Sequence, residues 1–297
     1  MIMRLVWSHA YEADLFGHIF PVEKYRLVRE FLLSEGIACQ SDLVEAGPAP
    51  AEDLLLVHTP EYIDDLLNLR WSPRTVRSEL ALTREIVDAY VISAGGTTKA
   101  ARFALEDGIC VHIGGGFHHA FADHAEGFCY VNDVAVAVER LRHDGLVKKV
   151  AIIDCDLHQG NGTAVIFGCN PDVFTFSIHQ EHNYPIKEQS DLDIGLPDGA
   201  DDAFYRRNLK VIGEILDSHR PEVAFYLAGA DPFKDDQLGG LALSKQGLKE
   251  RDRLVFSECS QRQVPVCVVL AGGYAYNIKD DVDIHVNTIV EATRILP

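Results

Sequence analysis

Ala151-Ile152-Ile153-Asp154-Cys155-Asp156-Leu157-His158-Gln159-Gly160-Asn161-Gly162-Thr163 carries an apolar run into two acids and a histidine at alternate positions, then dissolves into glycine-punctuated polar sequence. The apolar Ala164-Val165-Ile166-Phe167 follows. This pattern predicts a buried parallel strand that runs out into a functional loop and then a short helix. Alternate side chains of an extended segment share a face, so Asp154, Asp156 and His158 are expected to start on one side. Ligands of open α/β sheets collect beyond the carboxyl ends of strands, where this cluster lies. A carboxylate oxygen and an imidazole nitrogen, joined by a third ligand from elsewhere, make an open catalytic site of the Zn²⁺ type. Taken singly, an acid at a strand end is an ordinary loop cap and a histidine an ordinary core residue. The trio followed by Gly-Asn-Gly points to function, because buried acids need a partner or a metal.

Outward from that stretch the same grammar recurs. Gly108 to His112 leads into a second organising loop, Ile113-Gly114-Gly115-Gly116-Phe117-His118-His119-Ala120, where three glycines free the backbone from regular structure. Adjacent histidines do not readily share one metal ion, but they suit two side-by-side proton-handling groups, each with a carboxylate or amide behind it. Val223 to Ala228 reads as a buried strand ending in Gly229-Ala230-Asp231, which makes Asp231 the candidate third metal ligand, with Asp235 and Asp236 as rivals. Pro265 to Leu270 leads into Ala271-Gly272-Gly273-Tyr274, a tyrosine lifted on two glycines and able to donate over a site.

Further expected strands are Met3 to Trp7, Asp53 to His58 and Asp172 to His179, and the segment from Gln180 to Pro197 is expected to be a long polar loop. Helices are expected from Pro21 to Gly36, after Thr59, from Thr83 to Leu105, through Val134 to Leu141, from Asp202 to Ser218, after Ser244, and from Val282 to Ile295. The pair Gly95-Gly96 inside the third of these helical patterns is expected to permit close packing rather than to end a helix. Strands alternating with helices, with functional residues at successive strand ends, imply one doubly wound α/β domain over 1–297.

The 297 residues are 47% hydrophobic, which excludes a disordered chain. A formal charge of −18 repels phosphate backbones, so direct nucleic-acid binding is not expected, and cationic partners are favoured in a general way. Seven cysteines are scattered without a CxxC pair, which fits a reduced, cytoplasmic setting. The opening Met1 to His9 lacks the apolar region of a signal peptide, and no stretch has the length of a membrane span.

Gly-Gly-Gly-Phe-His118-His119, Gly127-Phe128, Asp154-Cys-Asp156-Leu-His158-Gln-Gly-Asn161-Gly-Thr, Gly-Ala-Asp231 and Gly-Gly-Tyr274 occur in one order along nearly the whole chain. In these motifs the sequence resembles the histone deacetylase superfamily, most closely its class IV and bacterial members. The resemblance implies an arginase-like α/β fold around a mostly parallel sheet, and hydrolysis of an N-acyl-lysine-type amide with one Zn²⁺ per chain. It implies Asp156, His158 and Asp231 as zinc ligands, His119 as the main general base and then acid, and His118 as a group that orients water. Tyr274 would donate to the developing oxyanion, and Asp154 would back His118. A structural monovalent cation, K⁺, is implied at Asp154, Asp156, His158, Ser177 and Ile178. Phe128 and Tyr184 would wall the acyl-lysine tunnel, with Gly127, Gly272 and Gly273 beside them. Asn161 stands where many members have an acid behind the second histidine, which should make that imidazole less basic. The substrate it implies is an acylated lysine of a protein or peptide, or a small acylated amine such as an acetylpolyamine. A dimetal ureohydrolase and a catalytically inactive acyl-lysine binder are the remaining alternatives.

Overall fold

Four strands buried along their whole length form the centre of the protein: Ile109–His112, Val150–Asp154, Val223–Leu227 and Val266–Val269. Continuous apolar runs of this kind are what a parallel sheet covered on both faces requires. In the computed structural model residues 3–294 are described, and the readings of Met1-Ile2 and of a helix end at Ile295 lie outside them. The strands are β1 (Leu5–Trp7), β2 (Leu43–Glu45), β3 (Ile109–His112), β4 (Val150–Asp154), β5 (Val173–Gln180), β6 (Leu192–Leu196), β7 (Val223–Leu227) and β8 (Val266–Val269). They form one sheet in the order β2-β1-β3-β8-β7-β4-β5-β6, and every neighbouring pair is parallel.

The helices are α1 (Glu23–Ser34), α2 (Ala51–Leu54), α3 (Pro60–Leu67), α4 (Arg84–Asp107), α5 (Asp133–His143), α6 (Asn161–Phe167), α7 (Asp202–Leu209), α8 (Ile212–His219), α9 (Lys245–Gln261) and α10 (Ile278–Thr293). Thr59, Thr83 and Ser244 cap α3, α4 and α9 by accepting hydrogen bonds from backbone amides of the first turn. Helix α4 crosses β1, β3, β8 and β7 and packs on α5, whereas α10 lies between α1 and α9 and also meets β3. The sheet is thus covered on both faces, the doubly wound arrangement expected from the alternation of elements. Gly95-Gly96 does lie inside α4; a Cβ on Gly95 would come within 2.8 Å of the Ala49 amide nitrogen. No described helix is long and apolar enough to cross a membrane.

Three local expectations are corrected. Asp53 to His58 is not a strand: Pro50 opens the short α2, Leu54 is buried and Leu55 is half exposed, and the strand beside β1 is instead Leu43–Glu45. The segment from Gln180 to Pro197 contains β6, an edge strand whose Leu192-Asp193-Ile194-Gly195-Leu196 alternates apolar and small or acidic residues. The helix expected from Asp202 to Ser218 is two helices, α7 and α8, which both pack on α9, with α8 also meeting β4.

Candidate active site

The motif-bearing loops follow β3, β4, β7 and β8, which are four consecutive neighbours in the sheet, in the spatial order β3-β8-β7-β4. Neighbouring strands lie about 4.8 Å apart, so loops far apart in sequence leave the sheet side by side. Strand β4 stops at Asp154, and the alternation stops with it. The Asp156 amide donates to Asp154 Oδ1 at 3.1 Å and the His158 amide to Asp156 Oδ1 at 2.9 Å, so the chain curls after the strand. Asp154 therefore turns toward His118 while Asp156 and His158 turn toward Asp231, a division that simple alternation did not foresee.

The loop after β3 is pinned from below. The carboxylate of Asp133, at the start of α5, accepts the amide of Gly116 at 3.1 Å and that of Phe117 at 2.7 Å. Gly114, Gly115 and Gly116 have φ values of 157°, 72° and 87°, which the tight path to the histidines requires. His118 Nδ1 lies 2.7 Å from Asp154 Oδ2, His119 Nδ1 lies 2.8 Å from Asn161 Oδ1, and the two Nε2 atoms are 3.1 Å apart. Burial opposes charge on His118, but Asp154 and Asp156 outweigh it and raise that imidazole to about 9. Burial, then the neighbouring His118 and His158, hold His119 well below the usual histidine range. Two adjacent imidazoles pushed in opposite directions can divide proton donor and acceptor roles between them.

Asp156, His158 and Asp231 are buried and offer ligand atoms that all lie within 4.8 Å of one another. His158 Nδ1 is 3.3 Å from Asp156 Oδ1 and 3.2 Å from Asp231 Oδ2. Among the described residues, no lysine or arginine forms an ion pair with either carboxylate. Burial and then Asp156 push Asp231 up to about 8, a strain that a dication would relieve. Two carboxylates and an imidazole form a donor set that fits an open zinc site. No second cluster of three such ligands occurs among the described residues. Asp235 is exposed and pairs with Lys234 at 3.1 Å, and Asp236 is occupied by the amides of Leu238 and Tyr274. On β5, Ser177 stands beside Asp154 in the strand register, with Ile178 next to it.

Above the cluster opens a cavity of about 180 Å³ lined by Glu79, His119, Gly127, Phe128, His158, Asn183, Tyr184, Leu238 and Tyr274. The Tyr184 ring is 5.2 Å from that of His119, and the Phe128 ring 6.1 Å from that of Tyr274. Phe128 has a φ of 63°, and the Tyr90 hydroxyl donates to its carbonyl. Gly272 and Gly116 line the cavity's floor together with Asp156, whereas Gly273, at φ 148°, packs against Ala230 and Asp281 and is not among the lining residues. Burial, then Asp156 and Asp231, hold the Tyr274 hydroxyl well above its usual range, so it remains a donor. Behind the floor, past Phe20, Gly115 and Phe117, lies a small, mainly apolar cavity of about 20 Å³.

Several residues of the site escape sequence reasoning. Glu79, at φ 66°, stands at the mouth, and a charged residue in a left-handed turn carries no sequence mark. Lys24 reads as the polar side of an amphipathic helix, yet it is wholly buried and its Nζ donates to Ala271 O at 2.9 Å. Asp133 could have been found only as an acid beside the helix-capping Asn132.

The histone deacetylase domain profile matches residues 18–289. An uncharacterized protein of Picosynechococcus sp. is 40% identical over 266 residues, covering 89% of each chain. Histone deacetylase 2 of Arabidopsis thaliana is 29% identical over 290 residues, covering 91% of this chain and 74% of that protein. The crystal structure of a histone deacetylase homologue from Aquifex aeolicus superposes with a TM-score of 0.83 at 24% identity, covering 99% of this chain and 84% of that one. Acetylpolyamine aminohydrolase from Burkholderia pseudomallei superposes with a TM-score of 0.81 at 20% identity, covering 98% and 99%. These two likenesses concern the arginase-like α/β fold, and the profile match over most of the chain establishes the relationship: this chain belongs to the histone deacetylase domain family.

Proposed function

We propose that the chain is a zinc-dependent deacylase that splits an N-acyl-lysine-type amide into a carboxylate and a free amine. The observation that carries this reading is the convergence of Asp156, His158 and Asp231 at the floor of an aromatic-walled cavity, beside two histidines of opposite proton affinity. Zn²⁺ held by those three residues would polarise the amide carbonyl and acidify a water molecule. Phe128 and Tyr184 flank a methylene stem and leave its charged or peptide end outside. Neutral His119 accepts the proton of the attacking water at Nε2 and later returns it to the departing nitrogen as the C–N bond breaks. His118, held against Asp154, orients the water and contributes positive charge. The Tyr274 hydroxyl donates to the carbonyl oxygen as negative charge develops there. A structural K⁺ belongs, on this reading, at Asp154, Asp156, His158, Ser177 and Ile178.

Two observations bear on the substrate. The apolar cavity behind the floor, at about 20 Å³, holds little beyond an acetyl methyl as it stands, and Glu79 at the mouth favours a cationic substrate, including an acetylpolyamine. The test is hydrolysis of acetyl-, octanoyl- and myristoyl-lysine peptides and of acetylspermidine by the zinc-loaded protein. At least one should be turned over, chelation should abolish the activity and added zinc restore it, and Tyr274→Phe should lower kcat by about 10²- to 10³-fold. His119→Ala should lose the same activity. If no substrate is hydrolysed while one zinc per chain is bound, the deacylase reading fails.

A further inference from the structure

The residue behind His119 is an amide, and an amide can face either way. Asn161 Oδ1 lies 2.8 Å from His119 Nδ1, and Asn161 Nδ2 lies 2.7 Å from Glu126 Oε1. Turned over, Asn161 would offer its NH₂ to His119 and set oxygen against oxygen at Glu126. A carboxylate has no hydrogen to donate, so Glu126 decides the orientation: the amide nitrogen faces Glu126 and the carbonyl faces His119. Nδ1 of His119 must then carry the hydrogen, which leaves the lone pair on Nε2, the atom 3.1 Å from His118 Nε2.

We propose that Glu126 is a positioning residue for deacylation: through Asn161 it holds His119 in the Nδ1–H tautomer, the neutral form whose Nε2 can take a proton from water. This inference rests on the deacylase reading. Glu126 does not line the tunnel and acts from behind it. Its position is held by several partners. Arg77 Nη2 donates to Oε2 at 2.8 Å, His124 Nε2 is 3.6 Å from the same oxygen, and the Tyr184 hydroxyl reaches Oε1 at 3.5 Å. The Glu126 amide donates to Cys129 O at 3.1 Å and the Cys129 amide to Glu126 O at 2.9 Å, closing the turn that carries Phe128. Without Glu126, Asn161 is free to invert and donate to Nδ1, which stabilises the Nε2–H tautomer. That form cannot act as a base toward water.

The test is a cycle in the zinc-loaded full chain with its best acyl-lysine peptide, comparing Glu126→Ala in the native and Asn161→Asp backgrounds. In the native background kcat should fall about 10- to 100-fold, the scale of a hydrogen bond to a charged group. KM should stay within about threefold, because the loss is confined to the chemical step. In the Asn161→Asp background, the introduced carboxylate accepts from Nδ1 unaided and faces Glu126 as a like charge, so Glu126→Ala should be neutral or raise kcat. The same factor in both backgrounds would overturn the proposal, since a merely structural Glu126 predicts it. Glu126→Gln, which keeps the shape, should lower kcat by a smaller factor and serves if the alanine variant does not fold. Nitrogen NMR of ¹⁵N-histidine-labelled, zinc-loaded protein reads the tautomer directly, with His119 assigned by its absence in His119→Ala. The native protein should show Nδ1–H, and Glu126→Ala or Glu126→Gln a mixture with Nε2–H; Nδ1–H alone in the variants sinks the idea. This readout needs no turnover, so an expected tautomer shift in a protein that hydrolyses nothing would refute the deacylase reading and not the positioning one.

Discussion

Asp231 and Asp236 sit on the same loop after β7, and their surroundings assign them different tasks. Asp231 is fully buried beside Asp156 and His158, whereas Asp236 accepts the Leu238 amide at Oδ1 and the Tyr274 amide at Oδ2, both at 2.8 Å. Asn has one acceptor oxygen where Asp has two, so Asp236→Asn must release one of those amides. Asp231→Asn should weaken zinc binding at least about tenfold, while Asp236→Asn should keep one zinc per chain and lower kcat by about tenfold through a loosened Tyr274. Zinc content after dialysis against a weak chelator, measured beside kcat, separates the two. Equal zinc loss in both variants would show that Asp236 shares the site. The strand-end position already put Asp231 ahead of Asp236, and the path of the loop, which turns Asp236 to the Leu238 and Tyr274 amides, gives the reason.

At the scale of elements, one hydrogen-bonded chain ties β3, α4 and α5 to the loop that carries His118 and His119. Asp133 can only accept, so the Thr97 hydroxyl donates to it at 2.5 Å and in turn accepts from His112 Nδ1 at 2.9 Å. His112 Nε2 then accepts the Tyr11 hydroxyl at 2.7 Å. Burial lowers His112 to about 3, and burial lowers His58, which spans to Phe121 and Asn132, to about 4. The unfolded chain holds these histidines near the ordinary value of about 6.5, so below that pH it binds protons that the folded protein refuses. Their contribution to stability is complete above about pH 6.5 and is lost as pH falls toward the folded values. Between about pH 6.5 and 5 each should cost up to about 2 kcal/mol. Urea unfolding across that window should show a steeper loss in the native protein than in His112→Asn, whose side chain takes up no proton. Parallel slopes would contradict the burial argument.

For the whole molecule, the polar centre is Arg251, wholly buried in α9. Its Nη1 donates to Gly229 O at 2.6 Å and Cys155 O at 3.2 Å, and its Nε to Asp252 Oδ1 at 2.9 Å. Asp252 also accepts Tyr226 of β7 at 2.5 Å and Thr288 of α10 at 2.6 Å. One ion pair thereby joins three elements to the loops that bear Asp156 and Asp231. Arg251→Met would leave Asp252 buried without its cation, at a cost of about 3–5 kcal/mol. The urea midpoint should fall accordingly, and zinc retention should fall with it; a loss under about 1 kcal/mol would remove Arg251 from this role. We read residues 1–297 as one domain, because every described strand belongs to the same sheet.

The strand-end motifs were legible from sequence because apolar runs, alternation and glycine clusters act locally, on φ and ψ and on which face a side chain takes. The ends of β3, β4, β7 and β8, with His118, His119, Asp156, His158, Asp231 and Tyr274, could be read that way. Their adjacency could not. The order β3-β8-β7-β4 comes from how the helical crossovers pack on the sheet, and no local pattern encodes it. The same holds for the polar residues that the packing alone brought inside. Lys24 sits on what reads as the wet side of α1, and Glu126 in what reads as a surface turn. Only the tertiary structure places the Lys24 ammonium against Ala271 O and the half-buried Glu126 carboxylate against Asn161, because distant segments must close around each of them. Sequence alone thus determined the chemical groups and the strand ends that bear them, and long-range packing determined which groups meet.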